Sequence, residues 1–515
     1  MNKGNSRPLA LIILDGWGVA STNSGGNAIA MAHTPYYDEI CARYPQTSLA
    51  AAGESVGLER DAAGNAEVGH LNIGAGRVVH ADATRISEAI NTGEFFENPV
   101  LRPAFADAAR GARSLHLIGL LSDAGTHASM ESLYALLRMA RREGIQDVFV
   151  HGILDGRDVP ARSADIYVEA LEIKMADIGV GRIATLCGRF FAMDSTEKWE
   201  RTARAYTMLV HAEGERAADA GTAVRNSFLR GISDEFIAPI VLESEPGSPL
   251  ATVANGDLVV FFNHRADTMR QLARFLAVPN QGSNAAKPEI TTICLTEYDR
   301  SFGLPVAFAA EPARNVLANV LAEVKVSNYR IAETDRFQHI SKFFNAGSTT
   351  DQFYEKQILV ETSDKSNREN EPEMESFKVA DRALRAIEAD SNGLFIVNFA
   401  APDIVAETGN LEKTVEAIQY VDTCLGGVLA KIRELNGVAV VTSSHGSCEE
   451  MLQTRGGDAS RFPTSNKVPF HIVDDATESV ELRDDGSLSD IAPTILGILG
   501  IEKPAEMTGS DLRII

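Results

Sequence analysis

Residues 9–18 read LALIILDGWG. Six apolar residues follow one another without a polar break and stop at Asp15. A strand with one wet face would alternate, so an unbroken short run is a strand covered on both faces. The same rule holds at Leu258–Phe262 before Asn263, Leu394–Asn398 before Asp403, Val438–Thr442 before His445, and Val468–Val473 before Asp474. Helical patterns lie between them, such as Leu411–Leu435 with Val415, Ile418, Val421 and Leu425 on one face. Strands and helices alternating at these lengths give an α/β fold with a largely parallel sheet. Ligands of such sheets bind beyond the carboxyl ends of the strands, where Asp15, Asp403 and His445 fall.

A second α/β pattern occupies the middle of the chain, with strands expected at Ser114–Leu120, Asp147–Leu154, Ile183–Leu186 and Leu258–Phe262. Soft boundaries stand near Ala81–Ser87 and Ala309–Arg314. An inserted domain explains why acidic strand ends occur near both ends of the chain. The expected division is 1–80 with 312–515 for one domain and 81–311 for the other. No internal repeat is visible, and the charge-dense ETSDKSNRENEPEME at Glu361–Glu375 reads as an exposed loop.

The 515 residues suffice for roughly two to four domains. The hydrophobic share of 44% and the charged share of 23% are those of an ordinary globular protein. A formal net charge of −23 argues against nucleic acid or anionic membrane as partners. Five scattered cysteines without a CxxC pair are the usage of a reducing compartment. The apolar run near the N-terminus is too short for a signal peptide, and no stretch approaches the roughly 18 residues of a membrane span. A cytoplasmic location is expected.

The polar residues gather at strand ends. Asp15 alone could as readily cap the turn at Gly16. Asp403 and Glu407 share a helical face, a pattern that most often marks a solvated surface. His445 in VVTSSHGSCEE follows a buried strand, where a histidine is more often structural. The middle segment carries Asp155, Arg157 and Asp158 in HGILDGRDV, Arg189 in CGRFFAMD, Arg265 in FFNHRAD, and His127 in LLSDAGTHAS. Several arginines at the ends of one sheet make a convergent anion site, because guanidinium matches phosphate or carboxylate in a bidentate way.

One loop poses a puzzle. Residues 64–77, GNAEVGHLNIGAGR, are glycine-rich like loops that hold an anion or a metal, yet Ala66 stands at the centre of the first turn.

Taken in order, ILDGWG, NAIAMAHTP, GESVGL, EVGHLNIGAGRVV, HGILDGRDVPA, GRFFAMD, RIAETDRFQHI, LSDIAPTILGILGI and EMTGSDL resemble the cofactor-independent phosphoglycerate mutases of the alkaline phosphatase superfamily. The resemblance covers essentially the whole chain. It implies an alkaline-phosphatase-like parallel-sheet domain built from both chain ends, with an inserted phosphotransferase-like α/β domain. It also implies a serine in GNSEVGH that passes the phosphoryl group of 3-phosphoglycerate to O2, giving 2-phosphoglycerate. Two manganese or similar ions assist that transfer.

This chain departs from that pattern. Ala66 stands at the serine position, so a phosphoenzyme cannot form there. Ser444 replaces an aspartate ligand, Glu407 a histidine ligand, and the last histidine falls near Pro463. Asp15, Asp403, Glu407 and His445 remain, a set expected to hold at most one weak Mn²⁺ or Mg²⁺. His127, Arg157, Asp158, Arg189 and Arg265 match the substrate-contacting positions, and Arg336 stands in place of lysine among them. Ser195 and Thr268 replace two arginines. The expected ligand is a small phosphorylated or carboxylate metabolite, and family members of this size imply a monomer. The leading reading is a diverged homologue without the serine-dependent reaction. It is either a non-catalytic binding or regulatory protein, or an enzyme with altered chemistry on a small phosphorylated or phosphonate-like acid. An active mutase that uses Ser443 or Ser444 as nucleophile is the third alternative.

Overall fold

Burial on both faces is what the Leu9–Leu14 run requires, and the computed structural model supplies it. Leu9, Leu11 and Ile13 enter one hydrophobic core while Ala10, Ile12 and Leu14 enter another. Successive side chains of a strand point to opposite faces, so a central strand between two helical layers must be apolar at every position. The structure describes residues 7–20, 26–278, 287–309, 314–347, 354–362, 371–452, 460–476 and 480–514.

The chain forms two units, Met1–Ala81 with Pro312–Ile515 and Asp82–Glu311. The first holds a seven-stranded sheet in the order Glu355–Val360, Asn328–Glu333, Leu394–Phe399, Leu9–Leu14, Val438–Thr442, Val468–Val473 and Gln46–Leu49. The first five strands are parallel. Val468–Val473 runs antiparallel to both its neighbours. The helix expected at Leu411–Leu435 spans Leu411–Glu434 and buries Ile418, Val421 and Leu425, with the Asn410 side chain accepting the Lys413 N–H at its start.

The second unit holds an eight-stranded sheet. Thr291–Cys294, Leu258–Phe261, Leu115–Leu121, Val148–Leu154 and Arg182–Gly188 are parallel neighbours, and Ile240–Glu245 pairs antiparallel with the last. A buried polar chain crosses this sheet. The Thr185 hydroxyl lies 2.9 Å from His151 Nδ1, His151 Nε2 lies 2.8 Å from His116 Nδ1, and His116 Nε2 lies 3.1 Å from Asp257 Oδ2.

Residues 363–370 of the charge-dense stretch lie outside the described residues, and 372–375 form turns before the helix Ser376–Ala389. Among the described residues no helix is long and apolar enough to cross a membrane.

Candidate functional site

In the unit built from both chain ends, strand register decides what meets. Leu14 pairs with Phe399 and Ile13 with Thr442, so three neighbouring strands end level. The segments leaving those ends carry Asp15, Asp403 in the first turn of the short helix Ala401–Ala406, and Ser443–His445. All of these side chains are buried.

The helix Ala66–Ala75 packs beside them, capped by Asn65, whose side chain accepts the Val68 N–H at 2.9 Å. Ala66 is its first residue and brings only a methyl group to the centre. One turn on, His70 Nδ1–H donates to the Ala66 carbonyl at 2.7 Å. The Asn398 amide donates both to His70 Nε2, at 3.1 Å, and to Asp15 Oδ2, at 2.9 Å. The glycines of this helix have a packing reason: a Cβ on Gly69 would lie 2.2 Å from the Ser444 carbonyl oxygen. Close approach of backbone to backbone keeps the glycine-rich sequence in place whether or not a nucleophile precedes it.

The guanidinium of Arg336 lies between the two aspartates. Its Nε donates to Asp15 Oδ2 at 3.0 Å and its Nη2 to Asp403 Oδ2. On the other side His445 Nε2 is 3.1 Å from Asp403 Oδ1, and His445 Nδ1 is 2.9 Å from Ser444 Oγ. The Ser444 hydroxyl donates to Asp15 Oδ1. Asp15, Arg336, Asp403, His445 and Ser444 therefore form a closed ring of hydrogen bonds. Burial by itself would raise both carboxyls. His445 and Arg336 hold Asp403 well below the usual range, and His70, Arg336 and His445 surround Asp15 and bring it down as well. His445 is shifted up, its burial outweighed by Asp403 and Asp15, whereas burial pushes His70 down.

This donor set does not fit a pair of divalent ions. One oxygen of each aspartate faces Arg336 and the other faces Ser444, or Ser447 and His445, while Ser444 offers a hydroxyl and Pro463 no ligating side chain. Among the described residues no group of three or more His, Cys, Asp or Glu is arranged to hold a metal. The single-ion site expected from Asp15, Asp403, Glu407 and His445 is not assembled either. Glu407 has its side chain 52% exposed, with Oε1 3.8 Å from Arg336 Nη2, so all three carboxylates pair with the arginine. The sequence grouped Arg336 with the substrate residues, but its side-chain ion pairs are with Asp15, Asp403 and Glu407. No motif in the sequence announces that pairing, nor the linking role of Asn398.

The inserted unit gathers the other candidates at its strand ends. Arg189, buried, donates through Nη1 to Asp155 at 2.5 Å and to Asp158 at 2.7 Å, and through Nη2 to His127 Nε2 at 2.8 Å. Thr268 Oγ1 is 3.2 Å from His127 Nδ1. Burial, with Arg189 and Arg265 nearby, pushes His127 down to about 4, so it is a neutral imidazole at physiological pH. Burial would raise Asp155, but the Asp158 N–H, Ser122 and Arg189 keep it low. Arg265 pairs with Asp267 at 3.0 Å and is half exposed, while Arg157 and Ser195 are exposed. Formal charges here cancel: Arg157, Arg189 and Arg265 stand against Asp155, Asp158 and Asp267.

The BPG-independent PGAM N-terminus family matches residues 86–300. The chain is 44% identical over 515 residues to the 2,3-bisphosphoglycerate-independent phosphoglycerate mutase of Moorella thermoacetica, covering 99% of each chain. It is 43% identical over 510 residues to the protein of that name from Desulforudis audaxviator, covering 98% of this chain and 99% of the other. The crystal structure of Leishmania mexicana phosphoglycerate mutase at low cobalt concentration is similar with a TM-score of 0.78 and 26% identity, covering 100% of this chain and 99% of that one. The chain belongs to the 2,3-bisphosphoglycerate-independent phosphoglycerate mutase family.

Proposed function

We propose that this chain is a phosphoglycerate-mutase homologue that has lost serine-dependent phosphoryl transfer and binds a small phosphorylated or carboxylate acid through the His127–Arg189 cluster. The carrying observation is the state of the hydroxyls near Ala66. Ser443 donates to the His445 carbonyl at 2.7 Å and accepts the Trp17 N–H at 3.2 Å. Ser444 donates to Asp15, and Ser447 to Asp403 at 2.9 Å. All three are buried and each is already committed. In-line displacement needs a nucleophile free to meet the phosphorus, and none of these oxygens is.

The test is a ³¹P NMR time course with 3-phosphoglycerate and Mn²⁺, using protein from a host without its own mutases. The spectrum is expected to stay unchanged, with heat released on titration of the acid into the protein. Formation of 2-phosphoglycerate above a no-protein control would overturn the loss of transfer, and an absence of binding heat would overturn the assigned pocket. A second reading, altered chemistry on a phosphonate-like acid, is favoured by His127. Its Nε2 lone pair accepts from Arg189 and its Nδ1–H faces Thr268 Oγ1, so it acts as a general base only when Arg189 turns to the bound acid. New phosphorus signals on incubation with small phosphonate acids would favour it over pure binding.

A further inference from the structure

We infer that Arg336 is a built-in cation that replaces bound metal in this unit and keeps divalent ions out of it. Asp15 and Asp403 are buried, 0% and 3% exposed, and the ends of adjacent strands force them together. Two buried carboxylates at such range need positive charge between them. An ion is one way to provide it, and a guanidinium is another. The guanidinium is planar, presents several N–H groups in a fixed fork and cannot lose its charge in a protein, so it can bridge two carboxylates permanently.

Every carboxylate oxygen is engaged. Asp15 Oδ2 accepts from Arg336 and Asn398, and Asp15 Oδ1 accepts from Ser444. Asp403 Oδ2 accepts from Arg336, while Asp403 Oδ1 accepts from Ser447 and lies beside His445 Nε2. A divalent ion would have to displace these donors and settle next to a buried like charge. The guanidinium is held from the side by its own chain: Arg336 is in the short helix Thr334–Gln338, which directly follows the strand Asn328–Glu333. It is a fixture of the sheet end, not a loop side chain that could swing away. This goes beyond the loss of phosphoryl transfer, because it concerns what holds the centre together, and the two can fail separately.

The experiment measures metal binding rather than turnover. Purified full-length protein is titrated with Mn²⁺ while free Mn²⁺ is followed by electron paramagnetic resonance, and thermal unfolding is recorded in EDTA and in MnCl₂. The same is done for Arg336→Ala and for Arg336→Gln, which retains amide donors for one carboxylate. The wild-type protein is expected to leave Mn²⁺ free and to unfold within about 1 °C of the same temperature in both buffers, since a species that does not bind the native state does not stabilise it. The variants are expected to unfold earlier in EDTA and to gain roughly 5 °C in Mn²⁺ at a hundredfold excess over its dissociation constant. Stoichiometric binding of Mn²⁺ by the wild-type protein would overturn the inference. So would variants that Mn²⁺ fails to stabilise, whether they fold in EDTA or not.

Discussion

At Ala66 the missing atom is a single oxygen, and putting it back tests how far the divergence has gone. Ser at this position sits at the start of a helix, where it is well tolerated. Ala66→Ser is therefore expected to change stability by less than about 1 kcal/mol. It is also expected to leave 2-phosphoglycerate formation at the no-protein level by ³¹P NMR, because Arg336 still spans Asp15 and Asp403. Recovery of turnover in that single variant would mean that the ring opens to admit an ion. In the other unit, Arg189→Met removes the buried guanidinium and leaves Asp155 without its counter-charge. Breaking one side of a buried pair costs about 3–5 kcal/mol, so the urea midpoint should fall. Binding heat with 3-phosphoglycerate should disappear with it. Asp15, Asp403 and His445 were legible as a cluster because each follows an apolar strand that has to be central. The place of Arg336 was not, since a guanidinium suits a substrate acid and a buried aspartate equally well, and 321 residues separate it from Asp15.

Among the elements, the helix Ala66–Ala75 has a packing reason for its glycines that is independent of any chemistry. A Cβ on Gly74 would lie 1.9 Å from the Phe344 carbonyl oxygen, which belongs to backbone and cannot rotate away. Alanine gains about 1 kcal/mol over glycine in a helix interior. Overpacking against a fixed backbone costs about 1–3 kcal/mol or more. Gly74→Ala is therefore expected to be net destabilising, read as a lower urea midpoint with an unchanged slope; a higher midpoint would mean that the packing yields. Strands were readable where an unbroken apolar run marks a central position, as at Leu9–Leu14 and Val438–Thr442. Asn328–Glu333 is interior and buried but carries Asn328, Arg330 and Glu333, and so left no such run. The antiparallel sense of Val468–Val473 was not readable either, because an apolar run has the same pattern in either direction. The short edge strand Gln46–Leu49 escaped for a related reason: only Leu49 in it is buried, so it leaves no apolar run.

On the scale of the whole molecule, several imidazoles are held neutral by their surroundings. Burial, with Arg189 and Arg265 near His127 and Arg265 near His264, leaves His127, His264 and His471 at about 4, and burial with neighbouring cations takes His339 to about 3. Each contributes stability that is present above the unfolded value near 6.5 and is lost as pH falls toward the folded one. Burial acts in the opposite sense on Asp234, raised to about 6, and Glu333, raised to about 7, whose contributions fade as pH rises. The histidines outnumber the carboxyls, so unfolding near pH 5.5 should take up roughly two protons. Stability from urea titrations should accordingly fall by about 2–3 kcal/mol per pH unit between pH 6.5 and 5. A flat profile there would show that these side chains are open to water in solution.

The division of one unit between the two ends of the chain has a consequence in time. Leu9 can pair only with Leu394 and Val438, so the central strand of the sheet is synthesised first and completed late. At about 5–20 residues per second, it waits on the order of tens of seconds for its neighbours. During that interval Asp82–Glu311 has everything needed for its own core, whereas the apolar run LALIIL is an unpaired strand in search of edges. The nascent chain is thus a finished domain trailing a sticky end, and the cell must shelter residues 9–14 until the ribosome has passed Thr442.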